Sequence, residues 1–220
     1  MIYLIRKKET PMNETKEMEL KYLVDDNFDI IGFVLYLVNN GFTMEDLNYV
    51  TNEDIYFDTP DKLLQRTDSS LRIRIIDEKK IKGTLKYPVD NDSLYMQRIE
   101  IEKDLESKTF DALLNAFNNE KFDLSKICPF PFLRLFNSRH DFTLKNGENI
   151  ITLSFDILTY NETIQELMIE IEAKKTTNPK VLEDINELIK RKYDLKTTKQ
   201  SKYQRGIELT KIATLTRKHQ

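Results

Sequence analysis

The sequence predicts a mainly β protein of the α+β class, built as a closed antiparallel β-barrel of about eight strands with a polar lumen and a few flanking helices. Strand-like runs dominate the chain and mostly follow one another directly, which favours antiparallel pairing over β-α-β units. Several runs also carry charged residues at every second position with aliphatic residues between them. Successive side chains of a strand point to opposite faces, so the charges of each such run share one face. A barrel of about eight strands can enclose these faces together with one small ligand.

Eight runs show the alternation, or the β-branched and aromatic enrichment, that is typical of strands. They span residues 16–24, 53–58, 70–77, 80–87, 95–103, 133–143, 150–158 and 166–174. Three other segments show helical spacing of apolar residues. The first covers residues 27 to about 40, and the second covers residues 107 to about 119. The third begins at Asn178, a capping residue type, because Pro179 follows at the first helical position.

The 220 residues, of which 40% are apolar and 32% charged, suit a domain with a substantial core. We expect a single domain at residues 12–211, with a candidate disordered extension at residues 1–11 and a basic tail at residues 212–220. The chain has 34 Lys and Arg against 37 Asp and Glu, a net charge of −3 that gives no general attraction to nucleic acid. Its one cysteine, Cys128, allows no internal disulfide, which is typical of a reducing compartment such as the cytoplasm. No stretch approaches the roughly 20 apolar residues of a membrane helix.

The charged faces contain like charges in adjacent pairs. Glu17, Glu19 and Lys21 share one face, and residues 170–174 repeat that arrangement. A half-exposed antiparallel sheet also alternates in this way, but paired like charges repel unless opposite charges lie against them. A shared polar lumen meets that condition. Its candidate acids are Glu17, Glu19, Glu100, Glu102, Asp156, Glu170 and Glu172, and its candidate cations are Lys21, Arg72, Arg74, Lys82, Lys86, Arg98, Arg139 and Lys202.

The chemistry of these side chains indicates the ligand. Arginine forks match phosphate oxygens, and lysines neutralise them as point charges. Carboxylates select hard ions such as Mg²⁺ or Mn²⁺ over zinc, for which the sequence offers neither a Cys nor a His cluster. The combination predicts a complex of a divalent metal with a polyphosphate rather than a sugar, a lipid or a nucleic-acid strand.

Six motifs resemble the signatures of the CYTH superfamily, the triphosphate tunnel metalloenzymes. They occur in the family's order and cover nearly the whole chain: EMELK at 17–21, which resembles the ExExK signature, YFDT at 56–59 with LRIR at 71–74, TLK at 84–86, RIEIE at 98–102, EIE at 170–172 and SKYQRG at 201–206. The resemblance implies an eight-stranded antiparallel β-barrel that forms a tunnel. It also implies that a linear triphosphate or a nucleoside triphosphate binds there with Mg²⁺ or Mn²⁺.

The resemblance further implies roles for individual residues. Glu100 and Glu102 would orient the phosphate-binding cations or support a second metal, and Lys21 would act as a base toward water. The metal ligands would be Glu17, Glu19, Glu170, Glu172 and Asp156. The phosphate-binding cations would be Arg72, Arg74, Lys86, Arg98, Arg139 and Lys202.

Two of these assignments have competitors, and one position departs from the family. Arg134 competes with Arg139, and Lys199 competes with Lys202, because each pair lies in one short run. Several hydrolytic members carry a lysine two positions before the tunnel arginine, where it partners the first-strand lysine. This chain has Asn137 there, so water activation by the metal alone is an alternative to a lysine pair.

The function that we expect is metal-dependent hydrolysis of inorganic triphosphate or a related triphosphate. The alternatives are a class IV-type adenylate cyclase that converts ATP to cyclic AMP, a thiamine triphosphatase, and a non-catalytic polyphosphate-binding module. The expected partner is a small-molecule triphosphate, with no nucleic acid and no membrane, and a homodimer is compatible with the sequence.

Overall fold

A computed structural model describes residues 14–89, 94–117, 123–174 and 178–217. Its strands are β1 (Glu14–Val24), β2 (Thr43–Phe57), β3 (Ser70–Ile76), β4 (Lys80–Pro88), β5 (Met96–Asp104), β6 (Leu133–Asn146), β7 (Asn149–Tyr160), β8 (Ile164–Ala173) and β9 (Lys196–Thr197). Its helices are α1 (Ile30–Asn39), α2 (Leu63–Arg66), α3 (Phe110–Phe117), α4 (Lys180–Lys190) and α5 (Lys202–Arg217). The expected extension at residues 1–11 lies outside the described residues.

Eight of the strands form one closed antiparallel barrel. Neighbouring strands follow the order β5-β4-β3-β2-β6-β7-β8-β1, and pairing between β1 and β5 closes the ring. The short strand β9 pairs with β1 as an addition to the barrel. The predicted fold, a mainly β protein with an eight-stranded antiparallel barrel and flanking helices, is therefore confirmed.

Much of the outer face of the barrel is apolar, and the predicted helices cover parts of it. Helices α1 and α4 pack on the outer residues of β1, β6, β7 and β8, with Phe33 and Leu182 among the fully buried side chains. Helix α3 packs Leu113 and Phe117 on β3, β4 and β5. Because the aliphatic side chains of each strand face these helices, the alternating charged side chains face the lumen.

Helix α5 packs into one end of the lumen, where β1 ends and β8 begins. Its residues Tyr203 and Ile207 join apolar lumen residues that include Leu133 and Tyr160. Gly206 lets the helix approach closely, since a Cβ atom there would lie 2.5 Å from Leu133 Cδ2 and 2.6 Å from Tyr160 Cδ1. The sequence did not predict this helix. The lumen is therefore apolar at the α5 end and charged along the rest of its length.

Strand β2 is longer than predicted. It was expected at residues 53–58, but it begins at Thr43, and its first part pairs with β6 from Lys145 onward. Residues 43–49 are exposed and show no alternation of buried and exposed positions, so period-2 patterning could not reveal them. Helix α5 continues to Arg217, so residues 212–217 of the predicted basic tail are helical. No helix in the described ranges has the length and apolar character that a bilayer crossing requires.

Candidate functional site

The charged part of the lumen encloses a cavity of about 210 Å³. Of the predicted lumen residues, all but Asp156 and Lys82 line it. The cavity adjoins an opening at the barrel end where β1 begins, between Thr15 and Lys174. The complete lining consists of Glu17, Glu19, Lys21, Tyr56, Ser70, Arg72, Arg74, Lys86, Arg98, Glu100, Glu102, Arg139, Glu170, Glu172, Ser201, Lys202 and Tyr203. The side chains of all eight barrel strands but β7 thus converge on one interior space.

The strand register places acids against cations inside the lumen. Glu17 of β1 lies opposite Arg98 of β5, and Lys21 lies opposite Glu170 of β8. Two cross-strand pairs have like charges, because Glu19 lies opposite Glu172 and Arg74 lies opposite Lys82. Cross-strand partners lie roughly 5 Å apart and face the same side, so register as well as alternation determines the charge pattern of the site.

Lys21 and Arg98 both contact Glu19. The Nζ atom of Lys21 lies 2.9 Å from Glu19 Oε1 and 3.5 Å from Glu170 Oε1, and the Lys21 side chain is almost completely buried. Arg98 Nη2 donates to Glu19 Oε1 at 2.6 Å.

Lys86 lies between two carboxylates near the opening. Its Nζ atom is 2.6 Å from Glu17 Oε1 and 2.6 Å from Glu100 Oε2. Burial alone would lower the pKa of Lys86, but the negative charges of Glu17 and Glu100 outweigh it and raise this pKa above its ordinary value. For Glu100, burial alone would raise the pKa. The positive charges of Lys86 and Arg72 outweigh burial and lower this pKa below its ordinary value.

Arg139 and Lys202 share two acids deeper in the lumen. Lys202 Nζ lies 2.8 Å from Asp156 Oδ2 and 2.8 Å from Glu170 Oε2. Burial opposes the ionisation of Glu170, but the three cations Lys202, Lys21 and Arg139 hold its pKa well below the usual range. Burial, followed by repulsion from Arg139, lowers the pKa of Lys202.

Asp156 lies behind the cavity surface instead of on it. Both its oxygens are occupied, by Arg139 Nε at 2.6 Å and Arg139 Nη2 at 2.8 Å, by Lys202 Nζ at 2.8 Å, and by Asn137 Nδ2 at 2.9 Å. Burial raises the pKa of Asp156, but Arg139 and Lys202 lower it further than burial raises it. Asp156 therefore orients two lumen cations, and its predicted role as a metal ligand stays a prediction.

The structure distinguishes between the competing basic residues. Arg139 lines the cavity, whereas Arg134 lies outside the barrel, where its Nη1 atom is 2.9 Å from Glu53 Oε1. Lys202 also lines the cavity, whereas Lys199 is exposed on the surface. The geometry thus supports Arg139 and Lys202 as the lumen residues.

Comparison with known proteins agrees with this geometry. The family model of the CYTH domain matches residues 15–207. The chain belongs to the CYTH family. No functionally curated protein matches this CYTH chain significantly.

Solved structures show the same fold at low sequence identity. A proposed adenylate cyclase from Bacillus halodurans is 20% identical with a TM-score of 0.60, over 88% of this chain and 98% of that one. A protein from Pyrococcus horikoshii is 23% identical with a TM-score of 0.57, over 87% and 98% of the two chains. A Hippeastrum protein, described as a proposed adenylyl cyclase with a dominant triphosphatase activity, is 17% identical with a TM-score of 0.51, over 85% and 93%.

Two lumen arginines of this CYTH domain keep hydrogen-bond donors without an acceptor. The Nε atoms of Arg72 and Arg98 are buried and have no partner among the described residues. A buried charged donor without an acceptor is costly, by about 1–3 kcal/mol or more. Both arginines line the cavity, so an anion bound there would offer acceptors to their guanidinium groups.

The acids of the site suit a hard metal ion in their chemistry, although they do not form a finished site. No three of the described His, Cys, Asp and Glu side chains are arranged as metal ligands, because most of the acids contact a lysine or an arginine instead. Burial raises the pKa of Glu172, and the nearby charges of Glu17 and Glu19 raise it further although Lys174 opposes them. This unbalanced negative charge, carried by carboxylate oxygens, fits Mg²⁺ or Mn²⁺.

Four lining residues were not among the predicted site residues: Tyr56, Ser70, Ser201 and Tyr203. Ser201 and Tyr203 belong to the SKYQRG motif, and Ser70 precedes Arg72 by two positions on the same strand face, so the sequence held a signal for these three. Tyr56 contacts the site because it lies opposite Arg72 in the β2–β3 register.

Proposed function

We propose that this CYTH domain hydrolyses inorganic tripolyphosphate, or a closely related triphosphate, with the help of Mg²⁺ or Mn²⁺. The observation that carries the proposal is a cavity lined by cations from five strands and from α5, two of which, Arg72 and Arg98, keep a buried donor without an acceptor. Phosphate oxygens accept such donors in charge-assisted hydrogen bonds. The cavity volume of about 210 Å³ suits a small linear anion.

The reaction adds water to the terminal phosphorus and breaks its bond to the bridging oxygen, so that tripolyphosphate yields pyrophosphate and phosphate. Negative charge builds up on the transferred group and on the leaving oxygen. Arg72, Arg98 and Arg139 project into the cavity and would stabilise this charge. Lys86 and Lys202 would neutralise the remaining phosphate oxygens.

Glu17, Glu19, Glu170 and Glu172 would hold the divalent ion, which supplies charge neutralisation at the phosphate oxygens when bound. These carboxylates would then exchange their present contacts for contacts with the metal ion. The present partners include Lys86, Arg98, Lys21 and Lys202. The proposed role of Lys21 as a base toward water requires the neutral amine, so its ammonium group would first have to lose a proton and its contacts with Glu19 and Glu170. Asn137 cannot act as a second amine, because an amide nitrogen is not basic, and its side chain donates to Asp156 instead.

A phosphate-release assay tests the proposal. We expect the purified protein to release phosphate from tripolyphosphate with Mg²⁺ or Mn²⁺ and to lose this activity when the metal is chelated. Glu17→Gln should reduce the metal-dependent rate by at least about tenfold, because it removes a carboxylate charge from the proposed metal site. The absence of phosphate release from tripolyphosphate, ATP and thiamine triphosphate with both metals would exclude this function.

Cyclisation of ATP is the second candidate, since the Bacillus halodurans neighbour is a proposed adenylate cyclase. The Hippeastrum neighbour, whose dominant activity is described as triphosphatase, favours hydrolysis instead. Chromatography of the ATP products separates the two reactions. Cyclic AMP would identify a cyclase, whereas ADP or AMP with released phosphate would support the hydrolase.

A further inference from the structure

Asp54 lies directly behind two of the lumen arginines and has no role in the site as described so far. It is fully buried on β2, opposite Arg74 of β3 in the strand register. Asp54 does not line the cavity, which is surrounded by other described residues. A ligand in the cavity would therefore meet the arginines and not the carboxylate behind them.

The carboxylate of Asp54 holds both arginines at once. Its Oδ1 atom accepts a hydrogen bond from Arg74 Nε at 2.6 Å, and its Oδ2 atom accepts one from Arg74 Nη2 at 2.7 Å. Oδ2 also accepts from Arg72 Nη1 at 3.1 Å and from Tyr56 Oη at 3.3 Å. The bidentate contact fixes the plane of the Arg74 guanidinium, and the contact with Nη1 leaves Arg72 Nε without an acceptor.

This arrangement differs from that of Arg98, whereas Asp156 holds Arg139 from behind the cavity in a similar bidentate way. Arg98 and Arg139 contact Glu19 and Glu170, which themselves line the cavity and are proposed to hold the metal. Those contacts are exchanged when a metal and a phosphate bind. Asp54 has no such competing task, so its contacts with Arg72 and Arg74 can persist in both states.

We propose that Asp54 is a positioning residue that fixes Arg72 and Arg74 for binding a triphosphate, an inference that rests on the proposed function. Two physical effects of Asp54 have opposite signs. Its negative charge repels a polyanion nearby, so by charge alone its removal would tighten binding. Its hydrogen bonds preorganise two arginine forks, so by positioning its removal weakens binding. The proposal is that positioning outweighs repulsion.

The test is the affinity for tripolyphosphate, measured by titration calorimetry with Mg²⁺ present. Asp54→Asn keeps the side-chain volume, removes the charge and turns an amide N–H toward an arginine. We expect the dissociation constant to rise at least about tenfold, because charge-assisted hydrogen bonds that hold the arginines are lost. Unchanged or tighter binding by a folded Asp54→Asn protein overturns the proposal.

Glu53→Gln is the matched control. It removes the neighbouring carboxylate on the same strand and also breaks a carboxylate–arginine pair, that of Glu53 with Arg134 outside the barrel. We expect its affinity for tripolyphosphate to equal that of the unmodified protein. A similar weakening by Glu53→Gln would show that the loss comes from a general effect on β2, and it would count against positioning.

A double variant tests whether Asp54 acts through the arginines. Once Asp54→Asn has released Arg74 from its position, Arg74 should contribute little to binding. The double variant Asp54→Asn with Arg74→Met should therefore bind tripolyphosphate about as weakly as Asp54→Asn alone. Losses that multiply would contradict the proposal. If Asp54→Asn alone does not fold, the double variant is compared with Arg74→Met instead. The double variant removes both members of the Asp54–Arg74 pair, so neither is left buried without its partner. Weaker binding by the double variant then supports the release of Arg72, and equal binding refutes it.

The outcomes separate this inference from the function on which it rests. If the unmodified protein binds no tripolyphosphate and hydrolyses none, the proposed function fails. If the unmodified protein binds and Asp54→Asn binds equally well, only the positioning role of Asp54 fails.

Discussion

The lumen side chains neutralise one another in contacts that a ligand has to replace. Lys86 contacts both Glu17 and Glu100, and Glu170 contacts both Lys202 and Lys21. Such buried pairs are expensive to break on one side only, because the remaining charge loses its partner. A ligand that brings a metal ion together with phosphates satisfies both sides at once. The site is therefore suited to a metal–phosphate complex more than to either component alone.

Lys202 gives a prediction about alkaline pH. Because burial and Arg139 lower its pKa, Lys202 loses its proton at a lower pH than an ordinary lysine, and affinity for tripolyphosphate should fall as the pH rises through that value. Lys202→Arg keeps the charge at all accessible pH values, so its alkaline loss of affinity should move to higher pH. The measurement is the dissociation constant as a function of pH, with the exposed Lys199→Arg as control. If the affinity of Lys202→Arg fell over the same alkaline pH range as that of the unmodified protein, loss of the proton of Lys202 would not be the cause of the fall.

At this scale the sequence predicted which way side chains face but not which of them touch. Alternation placed Glu17, Glu19 and Lys21 on one face, and the structure brings all three to the cavity. The contact of Asp54 with Arg74 depends on the pairing register of β2 and β3, and no local pattern encodes that register. A slip of one residue would turn the whole set to the other face.

Among the elements, α5 connects the apolar end of the barrel to the site. Its first residue, Lys202, reaches Asp156 and Glu170, and the next, Tyr203, donates to Asp58 Oδ2 at 2.9 Å. Asp58 also accepts from backbone N–H groups of α2. The contact with Asp58 thus fixes the start of α5 next to α2, and this position places Lys202 in the lumen.

Gly206 tests how closely α5 must pack. At an exposed helix position, Gly→Ala would stabilise by about 1 kcal/mol. Here the new Cβ would overlap Leu133 and Tyr160, and overpacking typically costs about 1–3 kcal/mol. We therefore expect Gly206→Ala to lower the free energy of unfolding, measured by urea denaturation. The exposed Thr214→Ala on the same helix should change it by less than about 0.5 kcal/mol. Stabilisation by Gly206→Ala would show that a Cβ atom at this position fits between α5 and the barrel without overlap.

The elements that the sequence failed to predict share a physical reason. Helix α5 contains Gly206 and several β-branched residues, and its apolar residues do not form one stripe along its length. The first part of β2 is exposed on its flanks and has no buried face to produce alternation. Both elements are specified by tertiary contacts, with the barrel end and with β6 respectively, and such contacts override local pattern. The helices α1, α3 and α4 were predictable because each buries an apolar stripe against the barrel.

The whole molecule has two separate apolar regions divided by a charged interior. Apolar contacts hold the helices to the outside of the barrel, and further apolar contacts hold α5 inside one end. Between them lie buried carboxylates whose charge is compensated only in the folded state. Folding therefore depends on the ionisation of the lumen as well as on apolar burial.

This charged interior makes the fold sensitive to acid. The cations around Asp54, Asp156 and Glu170 overcome the effect of burial and lower the pKa values of these groups below the ordinary 3.8 for Asp and 4.5 for Glu. A group whose pKa is lowered by folding stabilises the protein at pH above its ordinary value, and this stabilisation is lost as the pH falls toward the lowered value. Glu172 and Asp68 act in the opposite direction, because folding raises their pKa values, but the groups with lowered pKa values, which also include Glu100, outnumber them. We expect the free energy of unfolding, measured by urea denaturation without metal, to fall by several kcal/mol between about pH 5 and 3. A constant free energy across that interval would show that folding does not lower the pKa values of these carboxylates, and it would contradict their stabilisation by the lumen cations.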